Sequence, residues 1–228
     1  MRIVGHRGAA ALAPENTIVA FGAGVEAGAD DVEFDVQRTR DGVPIVIHDD
    51  TLDRTTPLHG AVAATDWASI RAGAPHVPSL DELCAWAASR SVGLVLELKQ
   101  RFDARDGGLV PAVLPLLRSH GVLERTVVIS FDHASLEQLH GAGPEARTAP
   151  LFGRRMRPEG WPAWSAGIHP FHEWITPELC ARAHAGGQYV HAWGFEPDRA
   201  SVARLVSAGV DSLSADDPRR LVRLLASS

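Results

Sequence analysis

Short apolar runs alternate with longer mixed stretches along the whole chain. Eight such runs stand out, at residues 2–6, 31–36, 93–98, 126–130, 147–152, 166–169, 188–193 and 210–214. They are near-continuous in Val, Ile, Leu and Ala, as in parallel strands covered on both faces. The stretches between them carry helix start signals. Asn16 predicts an N-cap for a helix with Ile18, Phe21 and Val25 on one face, closing at Gly28. Ser79-Leu80-Asp81-Glu82 is a capping box, and Asp132 caps the stretch to Gly141. Thr176-Pro177 and Asp217-Pro218 each set a cap before a proline at the first helical position. Pro197 predicts another start, with Val202, Leu205 and Val206 on one face and Gly209 at the end. Pro115 predicts a kink or a late start in the helix after the third strand.

Eight strands, each followed by a mostly helical connection, predict a closed (β/α)8 TIM barrel, with a doubly wound sheet as the alternative. The strand count, and polar residues at the ends of several strands, favour the barrel. The connection between the second and third strands is atypical and reads as a loop over residues 51–78. Too few residues separate Val36 from Pro44 for a crossover helix. Asp41-Gly42 instead predicts a two-residue hairpin turn, hence a β-hairpin-like extension after the second strand. In that register Arg40 opposes Val43 and Asp35 opposes His48. A bulge near Pro44 shifts the pairing by one residue.

The length of 228 residues fits a single domain over 1–228. Hydrophobic residues at 45% and charged residues at 22% are ordinary globular values. The net charge of −6 argues against a nucleic-acid partner. No apolar run approaches a membrane span, so no stable membrane insertion is expected. Cys84 and Cys180 read as two buried thiols on amphipathic helices. With no room for a signal peptide before the first strand, these features predict a cytoplasmic protein.

In a parallel barrel the chemistry lies at the carboxyl ends of the strands. Those ends offer His6-Arg7, Glu33 and Asp35, then Glu97 and Lys99, and later Ser130-Phe131, His169, Trp193 and Asp216. Glu33 and Asp35 are two apart on one strand, so they share a face, and Glu97 and Lys99 repeat that spacing. Three carboxylates in one mouth repel unless something positive lies among them. A hard divalent cation is one solution. A salt-bridge network from Glu97 to Lys99 or Arg7 is the other. His6 and His48 are acid/base candidates because imidazole titrates near neutral pH. Arg7 and Lys99 suit an anionic group such as phosphate. Trp193 and Phe131 either wall a pocket or pack in the core.

His6-Arg7-Gly8, Ala13-Pro14-Glu15-Asn16-Thr17, Val32-Glu33-Phe34-Asp35-Val36, and Ile47-His48-Asp49 with Leu52-Asp53-Arg54-Thr55-Thr56 follow in order. Val77-Pro78-Ser79-Leu80, Glu97-Leu98-Lys99, Trp193 and Asp217-Pro218 come later. In this series the chain resembles the glycerophosphodiester phosphodiesterase family over nearly its whole length. The resemblance implies hydrolysis of glycerophosphodiesters, such as deacylated phospholipids, to glycerol 3-phosphate and an alcohol, in lipid and glycerol metabolism. It implies His6 and His48 as the acid/base pair and Glu33, Asp35 and Glu97 as ligands to Mg²⁺ or Ca²⁺. Arg7 and Lys99 would then hold the phosphate, with Trp193 on the substrate. The family often has Trp-Thr-Val-Asn where this chain has Trp193-Gly194-Phe195-Glu196. Two rival readings are a lysophospholipase-D-like enzyme with an acyl groove from Trp161, Trp164, Phe171 and Trp174, and an inactive barrel that binds a phosphorylated ligand.

Overall fold

The computed structural model describes residues 1–99 and 108–226. Eight parallel strands close into a ring. They are β1 (Arg2–Gly5), β2 (Asp31–Arg38), β4 (Gly93–Leu98), β5 (Thr126–Ser130), β6 (Arg147–Phe152), β7 (Gly167–Pro170), β8 (Tyr189–Ala192) and β9 (Ser212–Ala215). Each pairs with the next, and β9 and β2 both pair with β1, which closes the barrel. The remaining strand, β3 (Pro44–Val46), pairs antiparallel with β2 outside the ring. The helices are α1 (Ile18–Glu26), α2 (Trp67–Gly73), α3 (Leu80–Ala88), α4 (Val110–Ser119), α5 (His133–Ala142), α6 (Pro177–Ala185), α7 (Arg199–Ala208) and α8 (Pro218–Ala226). All eight predicted barrel strands are present, with ends within two residues of those expected. No described helix is long and apolar enough to cross a membrane.

The core forms in two places. Outside the ring, Phe21, Phe34, Leu83, Leu96 and Leu117 fill one arc between strands and helices. Ile168, Cys180, Val190, Leu205 and Leu213 fill the other. Inside it, Val4, Val95, Val127, Ile129, Ala149 and Leu151 plug the bore. Cys84 and Cys180 are free and buried, and burial raises both thiols, Cys84 to about 12 and Cys180 to about 11.

Several local expectations are corrected. Thr17, not Asn16, caps α1, its hydroxyl accepting from Ala20 N–H at 3.2 Å. Asn16 is left-handed, at φ +58°, and its amide is used elsewhere. Helix α7 starts at Arg199 behind a capping box from Asp198 and Ser201, two residues beyond Pro197. Helix α4 does not start late. It begins at Val110 and runs through Pro115, burying Val113, Leu114 and Leu117. Residues 51–78 are not only loop, since they hold α2 and a 3₁₀ turn at Val62–Ala64. Ile45, Ile47, Leu52, Val62 and Ile70 form a small core of their own there. The β6–β7 connection carries no helix, because Gly153, Pro158, Gly160 and Pro162 break it repeatedly.

The hairpin register is one residue away from the expected one. Val36 pairs with Val46, Gln37 with Ile45 and Arg38 with Pro44. The turn takes three residues, Arg40, Asp41 and Gly42, with Gly42 left-handed at φ +87°. Thr39 locks it. Its hydroxyl donates to Asp41 at 2.6 Å and accepts from Val43 N–H at 3.0 Å. This is the three-residue hairpin loop with a glycine bulge. Asp35 therefore meets Ile47, whose N–H donates to the Asp35 carbonyl at 3.0 Å.

Candidate active site

The turn after β1 sets the first group. Gly5 and Gly24 both press on the Gly8 carbonyl, and a Cβ on either would lie within 2.5 Å of that oxygen. Only glycine permits this approach, so the 5–8 turn is fixed against α1. Arg7 takes φ +49°, and its N–H donates to Glu33 Oε2 at 2.8 Å. His6 leaves the strand end with its Nδ1–H donated to Asp216 Oδ1 at 2.6 Å. A carboxylate only accepts, so this bond leaves Nε2 as the nitrogen available for chemistry. Burial pulls the His6 imidazole down, but Asp216 and Glu33 outweigh burial and raise it.

Register brings the carboxylates together. Asp35 on β2 and Glu97 on β4 are direct partners in the parallel ladder, and Glu33 is two residues below Asp35 on the same face. Glu33, Asp35 and Glu97 each offer an oxygen within 4.8 Å of the others, and all three are buried. Burial, reinforced by Asp35, pushes Glu33 and Glu97 well above the ordinary carboxylate range. Lys99 Nζ lies 3.0 Å from Glu97 and 3.5 Å from Asp35. Burial lowers the ammonium, yet Glu97 and Asp35 outweigh it and keep Lys99 charged. Asn16 clamps Asp35 reciprocally. Its Nδ2 donates to the carboxylate at 2.8 Å, and its Oδ1 accepts from Asp35 N–H at 3.2 Å.

His48 reaches the same chamber despite the altered register. Ladder pairing ends at Val46, and the chain then bends. The buried Gln37 amide pins that bend by donating to the carbonyls of His48 at 2.9 Å and Asp49 at 2.5 Å. His48 Nδ1–H donates to Asp49 Oδ1 at 2.7 Å, which repeats the His6–Asp216 arrangement. Asp49 is gripped by Arg54 through Nε at 2.6 Å and Nη2 at 2.9 Å. Arg54 also grips Glu15 at 2.7 and 2.8 Å, and Glu15 accepts from Arg7 at 2.8 Å. A continuous charged chain thus joins His48 to Arg7 and, at 3.6 Å, to Asp35. The hydrogen bonds from Arg54 hold Glu15 down at about 2.

All eight residues singled out in the sequence line one chamber of about 110 Å³. His6, Arg7, Glu33 and Asp35 form one side, and His48, Glu97, Lys99 and Trp193 complete it. Phe131 also lines the chamber and meets Trp193 edge to face at 5.6 Å. Sequence reasoning missed the supporting shell: Glu15, Asp49 and Arg54 received no role, Asn16 only that of a helix cap, and Asp216 only a position.

The chamber floor holds two further histidines. His169 shares a hydrogen bond with Tyr189 OH at 2.9 Å, and His191 with Ser212 Oγ at 2.8 Å. Their rings lie 4.4 Å apart. Burial, with the neighbouring histidine adding to it, lowers His169 well below the ordinary 6.5. Burial and His6 lower His191 to about 3. Both are therefore neutral when folded, while the unfolded chain takes up protons near pH 6.5. Stability is complete above that pH and falls as pH drops towards the folded value, by about 1.4 kcal/mol per pH unit for each group. Urea melts at pH 7 and pH 5 should show this loss, and His191→Asn should reduce it. An unchanged pH slope in the variant would contradict the assignment.

The family model described as "Glycerophosphoryl diester phosphodiesterase family" matches residues 6–220. The chain belongs to the glycerophosphoryl diester phosphodiesterase family. A relative named glycerophosphodiester phosphodiesterase, from Caldanaerobacter subterraneus subsp. tengcongensis, is 30% identical over 98% of this chain and 97% of its own. The crystal structure of a glycerophosphodiester phosphodiesterase from Agrobacterium tumefaciens superposes with TM-score 0.82 at 26% identity, covering 98% of this chain and 99% of that one. An Oleispira antarctica phosphodiesterase, solved in complex with the product sn-glycerol-3-phosphate, has TM-score 0.86 at 24% identity. It covers 99% of this chain and 97% of its own, a likeness of fold. The glycerophosphoryl diester phosphodiesterase match begins at His6 and takes in every residue of the chamber.

Proposed function

We propose that the chain hydrolyses glycerophosphodiesters to glycerol 3-phosphate and an alcohol, with His6 and His48 as the acid/base pair. The observation that carries this reading is the pairing of two imidazoles, each fixed through Nδ1 by an aspartate, on one chamber with three buried carboxylates. The three oxygens suit a hard divalent cation, Mg²⁺ or Ca²⁺, and the raised proton affinity of Glu33 and Glu97, set by burial and by Asp35, supports a cation among them. Glu33, Asp35 and Glu97 would hold such an ion, which when bound polarises phosphate oxygen and lowers the pKa of a coordinated hydroxyl.

The chain's own residues account for the rest. Arg7 Nε is buried without a hydrogen-bond acceptor, 3.6 Å from Asp35. A phosphate oxygen would satisfy that orphaned donor, and Lys99 would supply a second charge beside it. One histidine takes the proton from the attacking hydroxyl through Nε2, and the other gives one to the departing alkoxide. The attacker is water, or the neighbouring glycerol hydroxyl, whose cyclic phosphate a water then opens to glycerol 3-phosphate. Trp193 walls the substrate side, its indole N–H fixed to the His169 carbonyl at 2.9 Å.

Of the four rings expected to build an acyl groove, Phe171 packs edge to face on Trp193 at 5.3 Å, and the other three are spent separately. Trp164 packs on one arc of the outer core and stacks on His140 at 4.4 Å. Trp161 packs on the other arc, and Trp174 donates to the Gly153 carbonyl. This favours a deacylated substrate over a lysophospholipid. The test is product analysis on both classes. Glycerol 3-phosphate and free alcohol are expected from glycerophosphodiesters, with little turnover of lysophospholipids. Phosphorylated alcohol with free glycerol would contradict the reading, as would a clear preference for the lysolipid.

A further inference from the structure

The two sides of the chamber differ in the space they offer. Next to His48 lies a cleft of about 10 Å³ between the Glu15 and Val77 segments. Next to His6 lies a side cavity of about 490 Å³, against about 110 Å³ for the chamber itself. His6, Arg7, Trp193 and Ser214 line both chamber and side cavity, so they form the common wall. The far wall comes from the β8–α7 segment, with Phe195 and Glu196, and from the start of α8, with Asp217 and Arg220. A phosphodiester carries two substituents. On the phosphodiester reading above, the small chamber, which holds the carboxylates, Arg7 and Lys99, takes the phosphate and the glycerol. The second substituent needs the larger space.

The proposal rests on the phosphodiester reading above and adds a subsite to it. We propose that the side cavity receives the alcohol, and that Glu196, with the ring faces of Trp193 and Phe195, selects a positively charged amino alcohol. Three carboxylates on the cavity wall, Glu196, Asp216 and Asp217, face two guanidiniums, Arg7 and Arg220. Most of these are committed. Asp216 accepts from His6, Asp217 accepts from Arg219 at 2.9 Å, and Arg7 is held by Glu15. Glu196 and Arg220 are only loosely paired at 3.6 Å, and the Glu196 side chain is 91% exposed. Glu196 is therefore the carboxylate that can turn to a cationic group at little cost. Aromatic faces favour an alkylammonium over a polyol or an acid.

The test compares kcat/KM for sn-glycerol 3-phosphate esterified to choline, glycerol, serine and methanol. The choline ester should exceed the glycerol ester by about tenfold, a charge-plus-aromatic effect. Glu196→Gln should reduce that ratio about fivefold or more. Ala11 is exposed on the cavity rim, so Ala11→Phe fills the cavity without disturbing the core. That variant should lower the choline-to-methyl ratio by about tenfold, a steric effect, with methyl-ester turnover serving as the folding control. A parent preference for the serine or glycerol ester would overturn the charge selection, as would an unchanged ratio in Glu196→Gln. An unchanged ratio in Ala11→Phe would overturn the placement of the alcohol. Failure of the parent to hydrolyse any of the four esters would instead overturn the phosphodiester reading, and the subsite with it.

Discussion

Replacing His6 by alanine is expected to lower turnover by about two to four orders of magnitude, the usual worth of a proton-transfer group. The same is expected of His48→Ala. Neither ring sits in the apolar core, and each is tied to the fold through one Nδ1 bond, to Asp216 or Asp49. Thermal unfolding should therefore shift far less than activity. Asp49→Asn separates orientation from chemistry. It keeps the shape but replaces an acceptor-only carboxylate with an amide that can present N–H to the ring. It also frees Arg54, which would leave Glu15 as its remaining described partner. Turnover should fall while KM stays close to the parent value. Wild-type turnover in either alanine variant would return that histidine to a structural role.

The second large effect couples activity and stability in opposite senses. Glu33 is buried 2.8 Å from Arg7 N–H and crowded by Asp35 and Glu97. Its folded pKa is raised above the unfolded value, by burial first and by Asp35 second. A raised carboxylate stabilises the fold only while protonated. That contribution is present below the unfolded value of 4.5 and is lost as pH rises through the folded one. At neutral pH and without cation, Glu33 therefore costs stability. Glu33→Gln keeps the hydrogen bond to Arg7 and removes the charge. Its cation-free melting temperature should rise by several degrees, since about 1 kcal/mol moves a domain of this size by about 2–4 °C. Activity should fall to background in the same variant. The parent should instead gain stability from Mg²⁺ or Ca²⁺, by about 2.7 kcal/mol at a hundred times Kd. Calorimetry with chelator and with each cation checks both halves. A less stable cation-free variant would show that Lys99 and Arg7 already compensate the carboxylates.

What the sequence could reveal depended on how local the cause was. The eight strands are continuous apolar runs, and buried parallel strands permit little else. Glu33 and Asp35 share a face because the strand period is two, and that needs no tertiary information. The helix caps fail or hold on finer grounds. Asn16 and Thr17 both can cap, and Thr17 does so because Asn16 is drawn away to Asp35, nineteen residues on. The hairpin shows the same limit. Asp41-Gly42 marks a turn, but Thr39 and the left-handed Gly42 decide that three residues make it. His48 then arrives through Gln37 rather than through ladder register. The charged chain from Asp49 through Arg54 and Glu15 to Arg7 was illegible because its links come from separate segments. Only the closed barrel brings them together.

The central claim is that this chamber cleaves a glycerophosphodiester with help from a cation held by Glu33, Asp35 and Glu97. The most direct measurement follows sn-glycerol 3-phosphate release from such a diester by one protein sample, first metal-stripped and then titrated with Mg²⁺ or Ca²⁺. The account predicts no release after stripping, full recovery on titration, and no recovery in Asp35→Asn. Undiminished release from protein verified free of metal would contradict it.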